Sequence, residues 1–280
     1  MLKINLANSA GFCFGVRRAL DIALKTANAN CSVYMLGDIV HNEDVVRQIE
    51  KAGIKKIGWL KAGKDRILLI RAHGTGRAIL QRAGQLGYKI VDATCPMVKE
   101  IHKIARDMEN KGYKIVIIGD KFHDEVLGIA GQLRKKAVII DGLKHIPRII
   151  AKKTAVVVQS TQNLEEVLKI LKVLKSRVKT LKFYNTICQP TRFKQREIRA
   201  MPLHNDAMVI IGSRTSANTR RLYEISKSIN PKTYWVNSPR DLKPRWFRNV
   251  QSVGVTAGAS TPGSTTNAVI KKINTRVGGQ

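Results

Sequence analysis

The sequence predicts an α/β protein built from three comparable units, each a small, mostly parallel sheet wrapped by helices. Three observations predict it. Apolar segments of strand length alternate with segments of helical period along nearly the whole chain. Cys13, Cys95 and Cys188 recur at near-equal intervals, each where a strand runs into a helix. Histidines, a glutamate and hydroxyl-rich turns follow the strands directly, at the carboxyl ends where parallel sheets place their ligands.

The elements follow in order. A strand over residues 2–6 leads through a Gly-bearing loop to Cys13, after which Val16, Leu20, Ala23, Leu24 and Ala27 share one helical face. Residues 33–36, 67–71 and 89–91 read as the next strands. After Cys95, Pro96 suits a first helical position, where its missing N–H costs nothing and its φ is already helical. Met97, Ile101, Ile104, Ala105 and Met108 then form a face. Strands are expected at 114–118, 137–140, 155–158 and 181–184, and Leu164, Val167, Leu168, Leu171 and Leu174 make the cleanest helical stripe. Residues 207–211, 234–236 and 253–256 supply the last strands. Boundaries near Cys95 and Cys188 divide the chain into units 14–95, 96–187 and 188–280, the last joined by an N-terminal strand, 1–13. No repeat of solenoid period interrupts this pattern.

Bulk composition excludes several classes. At 280 residues with 44% hydrophobic and 25% charged residues the chain has ample core for a globular protein. No run approaches the roughly 18 apolar residues of a membrane span, and polar residues and glycine interrupt the apolar N-terminus, unlike a signal peptide. Four cysteines without close pairing point to a reducing cytoplasm rather than a disulfide framework. Fifty Lys and Arg against 20 Asp and Glu give a net charge of +30, the usual mark of a nucleic-acid binder. Here the charges are scattered and aromatics are only 5%, too few for a base-stacking platform. A solvated basic surface or attraction to an acidic protein or substrate fits better.

A cysteine beside a helix N-terminus has free backbone N–H groups and the positive end of the dipole near its sulfur, which favours the thiolate. Singly, each also fits a buried structural residue. Three thiolates meeting at one point need a cation between them, which zinc or an iron–sulfur cluster supplies, with one coordination position left open. Cys31 follows no such pattern. His41, His73 and His123 each follow a strand, and together they suit an anion with several oxygens, most simply a diphosphate. His102, His145 and His204 lack that setting. The turns Gly212–Thr219 and Thr256–Pro262 run from strands into helices, and Ser160 with Thr161 forms a third such hydroxyl pair. Their serines are ordinary caps, or the same groups hold phosphate oxygens at a helix N-terminus.

Taken together, Gly11-Phe12-Cys13-Phe14-Gly15-Val16-Arg17-Arg18-Ala19, His41-Asn42, Ala72-His73-Gly74, Asp92-Ala93-Thr94-Cys95-Pro96, His123-Asp124-Glu125-Val126-Leu127-Gly128, Thr186-Ile187-Cys188 and Val255-Thr256-Ala257-Gly258-Ala259-Ser260 resemble the 4-hydroxy-3-methylbut-2-enyl diphosphate reductase family, in the family's order along essentially the whole chain. The resemblance implies a pseudo-threefold trefoil of three α/β units around one central [4Fe–4S] cluster per chain, held by Cys13, Cys95 and Cys188. It implies that His41, His73, His123, Ser160, Thr161, Ser216, Ala217, Asn218 and Ser260 line the substrate, with Glu125 as proton donor; Asp124→Asn, beside it, is expected to cost little. The reaction would be two-electron, two-proton reductive removal of an allylic hydroxyl, giving isopentenyl and dimethylallyl diphosphates and water at the end of the methylerythritol phosphate route. An acidic electron donor of the flavodoxin or ferredoxin type is the expected partner, with neither membrane nor nucleic acid.

Two positions depart from the family pattern. Ser216 is followed by Ala217 where the family usually has a second serine, and Gln159-Ser160-Thr161 stands for its usual Gln-Thr-Thr. The competing readings are a quinolinate synthase-like [4Fe–4S] dehydratase, which needs no external electrons, a zinc protein using the same cysteines, and a basic nucleic-acid binder.

Overall fold

The computed structural model describes residues 2–29, 31–148 and 151–277; Met1 and the last three residues of the third expected unit lie outside them. β1 (Lys3–Leu6) leads to α1 (Phe14–Ala27). β2 (Ser32–Leu36), α2 (Glu43–Lys51), β3 (Lys55–Ile57), β4 (Arg66–Ile70), α3 (Arg77–Gln85) and β5 (Lys89–Asp92) follow. The middle of the chain forms α4 (Pro96–Asn110), β6 (Lys114–Ile118), α5 (Asp124–Ala130), β7 (Val138–Ile140), β8 (Lys153–Val158), α6 (Leu164–Lys175) and β9 (Thr180–Phe183). The last third forms α7 (Gln189–Ala200), β10 (Ala207–Ile211), α8 (Ala217–Ile229), β11 (Thr233–Val236), β12 (Ser252–Ala257) and α9 (Gly263–Val277).

The strands form three four-stranded sheets, ordered β3-β2-β4-β5, β7-β6-β8-β9 and β11-β10-β12-β1, and every pairing is parallel. All three orders are the same: second, first, third, fourth. In the last sheet the fourth place is taken by the N-terminal strand, with Ile4 opposite Val253 and Leu6 opposite Val255. The pattern has a physical cause. First and third strands are central, and all but β2 are buried on both faces and apolar almost throughout, as in Ile115-Val116-Ile117-Ile118 and Val156-Val157-Val158; β2 alternates, with Val33 and Met35 buried. Fourth strands are edges and carry exposed polar residues such as Lys89, Asp92 and Lys3. β3 has no apolar pattern, only Lys55-Lys56-Ile57 at an edge, and the sequence reading missed it for that reason.

The described residues make two compact units. One contains the chain through Val16, the segment His41–Arg47 and everything from Gln189 onward, and so holds the β11-β10-β12-β1 sheet. Its core joins Val209, Ile211, Val253 and Val255 to Val269 and Ile273 of α9, while Met208 and Ile210 pack on Leu222 and Ile198 across the other face. The second unit, Arg17–Val40 with Gln48–Cys188, holds the other two sheets. There α4 lays Ile101, Ala105 and Met108 on Ile115, Ile117 and Val157. The loop before α3 meets the end of α5 backbone to backbone: Arg77 N–H donates to Gly131 O at 2.9 Å. A Cβ on Gly131 would stand 2.7 Å from the Gly76 Cα, too close for a side chain there, and one on Gly76 would press on the Gly131 backbone at 3.0 Å.

Two expected core positions are corrected. Met97 is 45% exposed, because Pro96 starts α4 in a register that turns Val98, Ile101, His102, Ala105 and Met108 inward. Leu168 is 51% exposed, and Ile170 takes its place beside Val167, Leu171 and Leu174.

Candidate active site

Identical strand order puts chemistry-bearing residues in equivalent places. His41, His123 and the Ser213–Asn218 turn follow the first strands β2, β6 and β10. His73, Ser160-Thr161 and Ala259-Ser260 follow the third strands β4, β8 and β12. In each sheet these two strands are neighbours, and in the first two sheets their connections leave in opposite directions, the arrangement that opens a crevice at the carboxyl ends. The fourth strands lead to the cysteines. Each cysteine immediately precedes a helix, α4 for Cys95, α1 for Cys13 and α7 for Cys188. Each also donates its own backbone N–H to the loop after the third strand: Cys95 to Ala72 O at 3.0 Å, Cys188 to Ser160 O at 3.1 Å, Cys13 to Ala259 O at 3.2 Å. The three cysteines are half-buried and Cys31 is exposed.

In the second unit the His73 and His123 rings meet edge to face, with centroids 5.4 Å apart. His123 caps α5, its Nδ1 accepting the Glu125 N–H at 3.1 Å, which leaves the ring proton of a neutral His123 on Nε2. In the first turn of this helix, Glu125 is 2% exposed. Its Oε1 accepts Ser160 N–H at 2.6 Å and its Oε2 the Ser160 hydroxyl at 2.7 Å. Burial pushes the Glu125 carboxyl up from its ordinary value, and these two bonds pull it only partly back. Thr161 is half-buried, its hydroxyl accepting from Gln159 Nε2 at 3.0 Å. Asp124 is a correction: its carboxylate pairs with Arg71 at 2.5 Å, both groups mostly buried, so it is no idle neighbour of Glu125.

His102, set aside as a helix-face residue, is 6% exposed at the floor of a cleft of about 220 Å³ that Asp92, Lys99, Arg106 and Gln132 also line. Burial pushes it down to about 4, so it is neutral.

In the first unit Ser216 is the N-cap of α8, its Oγ accepting Thr219 N–H at 3.3 Å. That leaves the hydroxyl proton of Ser216 to donate elsewhere. Ala217 opens the helix, and Asn218 is 5% exposed with its Nδ2 lacking any partner among the described residues. A buried donor in that state is costly unless an acceptor arrives. Ser260 Oγ donates to His41 O at 3.0 Å, tying the third-strand turn to the histidine loop. The start of α8 sits against Gly212 and Gly258, where a Cβ would come within 2.7 and 2.1 Å of Thr219 Oγ1.

Lys194, Glu197, Thr219 and Arg71 also shape these loops and were missed from sequence. Lys194 stands in a run of basic residues that reads as a solvated helix face, and only the close Thr191-Lys194-Ile198 spacing of buried positions hinted otherwise.

The fold and these loops define an α/β protein whose histidines, hydroxyls and Asn218 gather at strand carboxyl ends, with three cysteines that each precede a helix. The sequence pattern of the LytB protein family matches residues 4–274. Relatives include the 4-hydroxy-3-methylbut-2-enyl diphosphate reductases of Geotalea uraniireducens, 36% identical over 97% of both chains, and of Aquifex aeolicus, 36% identical over 99% of this chain and 96% of that one. A solved (E)-4-hydroxy-3-methyl-but-2-enyl diphosphate reductase, described as the terminal enzyme of the non-mevalonate pathway, superposes with a TM-score of 0.71 at 36% identity, covering 98% of this chain and all of that one. The Plasmodium falciparum reductase superposes with a TM-score of 0.89 at 27% identity, covering 96% and 87%. The chain belongs to the LytB family, a family of iron–sulfur reductases in isoprenoid biosynthesis. The quinolinate synthase-like, zinc and nucleic-acid readings are not favoured.

Proposed function

We propose that this chain reduces 4-hydroxy-3-methylbut-2-enyl diphosphate to isopentenyl and dimethylallyl diphosphates, the last step of the methylerythritol phosphate route, in the cytoplasm. Two electrons and two protons enter; the allylic C–O bond breaks, a C–H bond forms, and the hydroxyl leaves as water. The observation that carries the reading is the environment of Glu125. Hydroxide is a poor leaving group, so a proton must reach the oxygen as the bond breaks. Glu125 is a buried carboxyl whose hold on its proton burial raises above the ordinary value, two residues from His123 and hydrogen-bonded to Ser160.

In this reading Cys13, Cys95 and Cys188 hold one [4Fe–4S] cluster per chain, each from the start of a helix. Soft thiolate donors at helix N-termini suit such a group. When bound, it supplies the electrons and an open iron site of Lewis-acid character. The protein's own residues do the rest. His41 and His73 bind the diphosphate with Ser216 and Asn218, whose protons can donate to its oxygens, and with Ser260, whose hydroxyl would turn from His41 O to do so; His123, Ser160 and Thr161 face the substrate. The Ala217 N–H at the start of α8 serves in place of the missing serine hydroxyl, aided by the helix dipole. The unpartnered Asn218 Nδ2 supports this assignment. Of the units 14–95, 96–187 and 188–280, with strand 1–13 joined to the last, the first would contribute Cys95 from its end and the last Cys13 and Cys188, so the cysteines fall at the unit boundaries. Electrons would come from a small acidic carrier protein of the flavodoxin or ferredoxin type.

Anaerobically purified protein should be brown, hold about four irons per chain, and convert the diphosphate substrate into both products. Cys13→Ser, Cys95→Ser or Cys188→Ser should each remove the iron, and Cys31→Ser should leave it. Colourless protein with one zinc, or a cluster that needs Cys31 and survives Cys13→Ser, would sink the reading.

A further inference from the structure

The loop between β1 and Cys13 belongs to no strand or helix, so its backbone polar groups need partners from elsewhere. They find them on one face of α7. Glu197 accepts Asn8 N–H at 2.8 Å on Oε1, and Ser9 N–H at 2.9 Å together with the Ser9 hydroxyl on Oε2. One turn earlier, Lys194 is 3% exposed. Its ammonium has three protons and three carbonyl acceptors: Ser9 O, Gly11 O at 3.0 Å and Ala257 O at 3.0 Å. Ala257 O also accepts Gly11 N–H at 3.3 Å, and Ala259 O accepts Cys13 N–H. The lysine is thus the hub between the Cys13 loop and the end of β12. No carboxylate bonds to it among the described residues, and it lies close enough to Cys13 for their charges to interact.

We infer that Lys194 and Glu197 are positioning residues for Cys13, and that the positive charge of Lys194 at neutral pH raises the reduction potential of a cluster bound there. This rests on the iron–sulfur reading of the three cysteines. A buried cation stabilises the more negative, reduced form, because little solvent screens it. Glu197, a turn away, carries the opposite charge, so the two side chains hold the same loop while acting on the potential in opposite directions. A scaffolding role alone would not separate them.

The test is the cluster potential of the holoprotein, measured by anaerobic redox titration without substrate. Lys194→Met should lower the reduced-to-oxidised ratio at fixed poise at least tenfold, about 59 mV for a one-electron couple. Lys194→Arg, which keeps the charge, should stay near wild type, and Glu197→Gln should move the potential upward or leave it. An unchanged potential in Lys194→Met, or a downward shift in Glu197→Gln, overturns the inference. Should Lys194→Met fail to fold, the other two variants decide, since a large downward shift in a folded Lys194→Arg protein also overturns it. Wild-type protein that binds no cluster refutes the underlying iron–sulfur reading, whereas a cluster indifferent to these residues refutes only this inference.

Discussion

Glu125 and Ser160 come from different β-α connections, and the burial of the pair makes an ordinary glutamate hold its proton more tightly, against the pull of the two Ser160 hydrogen bonds. The carboxyl is out of water, and the charged form loses more from that than two hydrogen bonds restore. The sign of the pH dependence follows. The folded value lies above the unfolded one, so between them the folded state binds more protons and stability falls as pH rises. Turnover that needs the protonated acid should fall across the same range. Glu125→Gln should cut turnover by roughly 10²–10⁴, abolish that alkaline limb, and flatten the dependence of stability on pH in urea titrations. Near-normal turnover in this variant would move the proton source elsewhere. Asp124→Asn is a poor control, because it breaks the Arg71 pair beside His73 and His123; exposed Glu100 on α4 serves better.

At the scale of an element, α8 shows how a helix start becomes a binding device. Ser216 caps it, Ala217 and Asn218 open it, and Thr219 locks it against glycine. Gly258 is needed for its missing side chain rather than its backbone freedom, since an added Cβ would overlap the Thr219 hydroxyl. Thr219 is β-branched and has no flexible end to swing away. Gly258→Ala should displace the first turn of α8, cost about 1–3 kcal/mol of stability, and raise KM for the diphosphate more than it lowers kcat. A lowered kcat at unchanged KM would place the strain on the chemistry rather than on phosphate binding. The sequence marked this turn as hydroxyl-rich but could not say that Thr219 packs inward while Ser216 and Asn218 remain for a ligand.

For the whole molecule the unexplained quantity is charge. A net +30 costs self-repulsion and gives a long-range field. If the field guides an acidic electron carrier, reduction by that carrier should slow steeply as salt shortens the Debye length below about 10 Å. Reduction by a small neutral dye should barely respond. Equal salt sensitivity with both donors would remove docking as the role of the charge. Among the described residues no helix is long and apolar enough to cross a membrane, which agrees with the absence of any such apolar run.

The α/β class, most strands and the helix starts at Cys95 and Cys188 were legible in the sequence, because they depend on local chemistry, whereas the roles of the candidate site residues came from the resemblance of their motifs to a family. Apolar runs make buried parallel strands, proline and cysteine mark helix starts, and ligand-type residues follow strand ends. What lay beyond it was whatever joins distant segments. Only tertiary structure brings Lys3–Leu6 beside Ser252–Ala257 as the fourth strand of a sheet begun two hundred residues later. Only it turns Lys194 from an apparent surface charge into the buried hub of the Cys13 loop, and sets Glu125 against Ser160. Periodicity reports which side of an element is apolar. Which partner that side meets, and which polar group is then cut off from water, is decided by the packing of elements far apart in the chain.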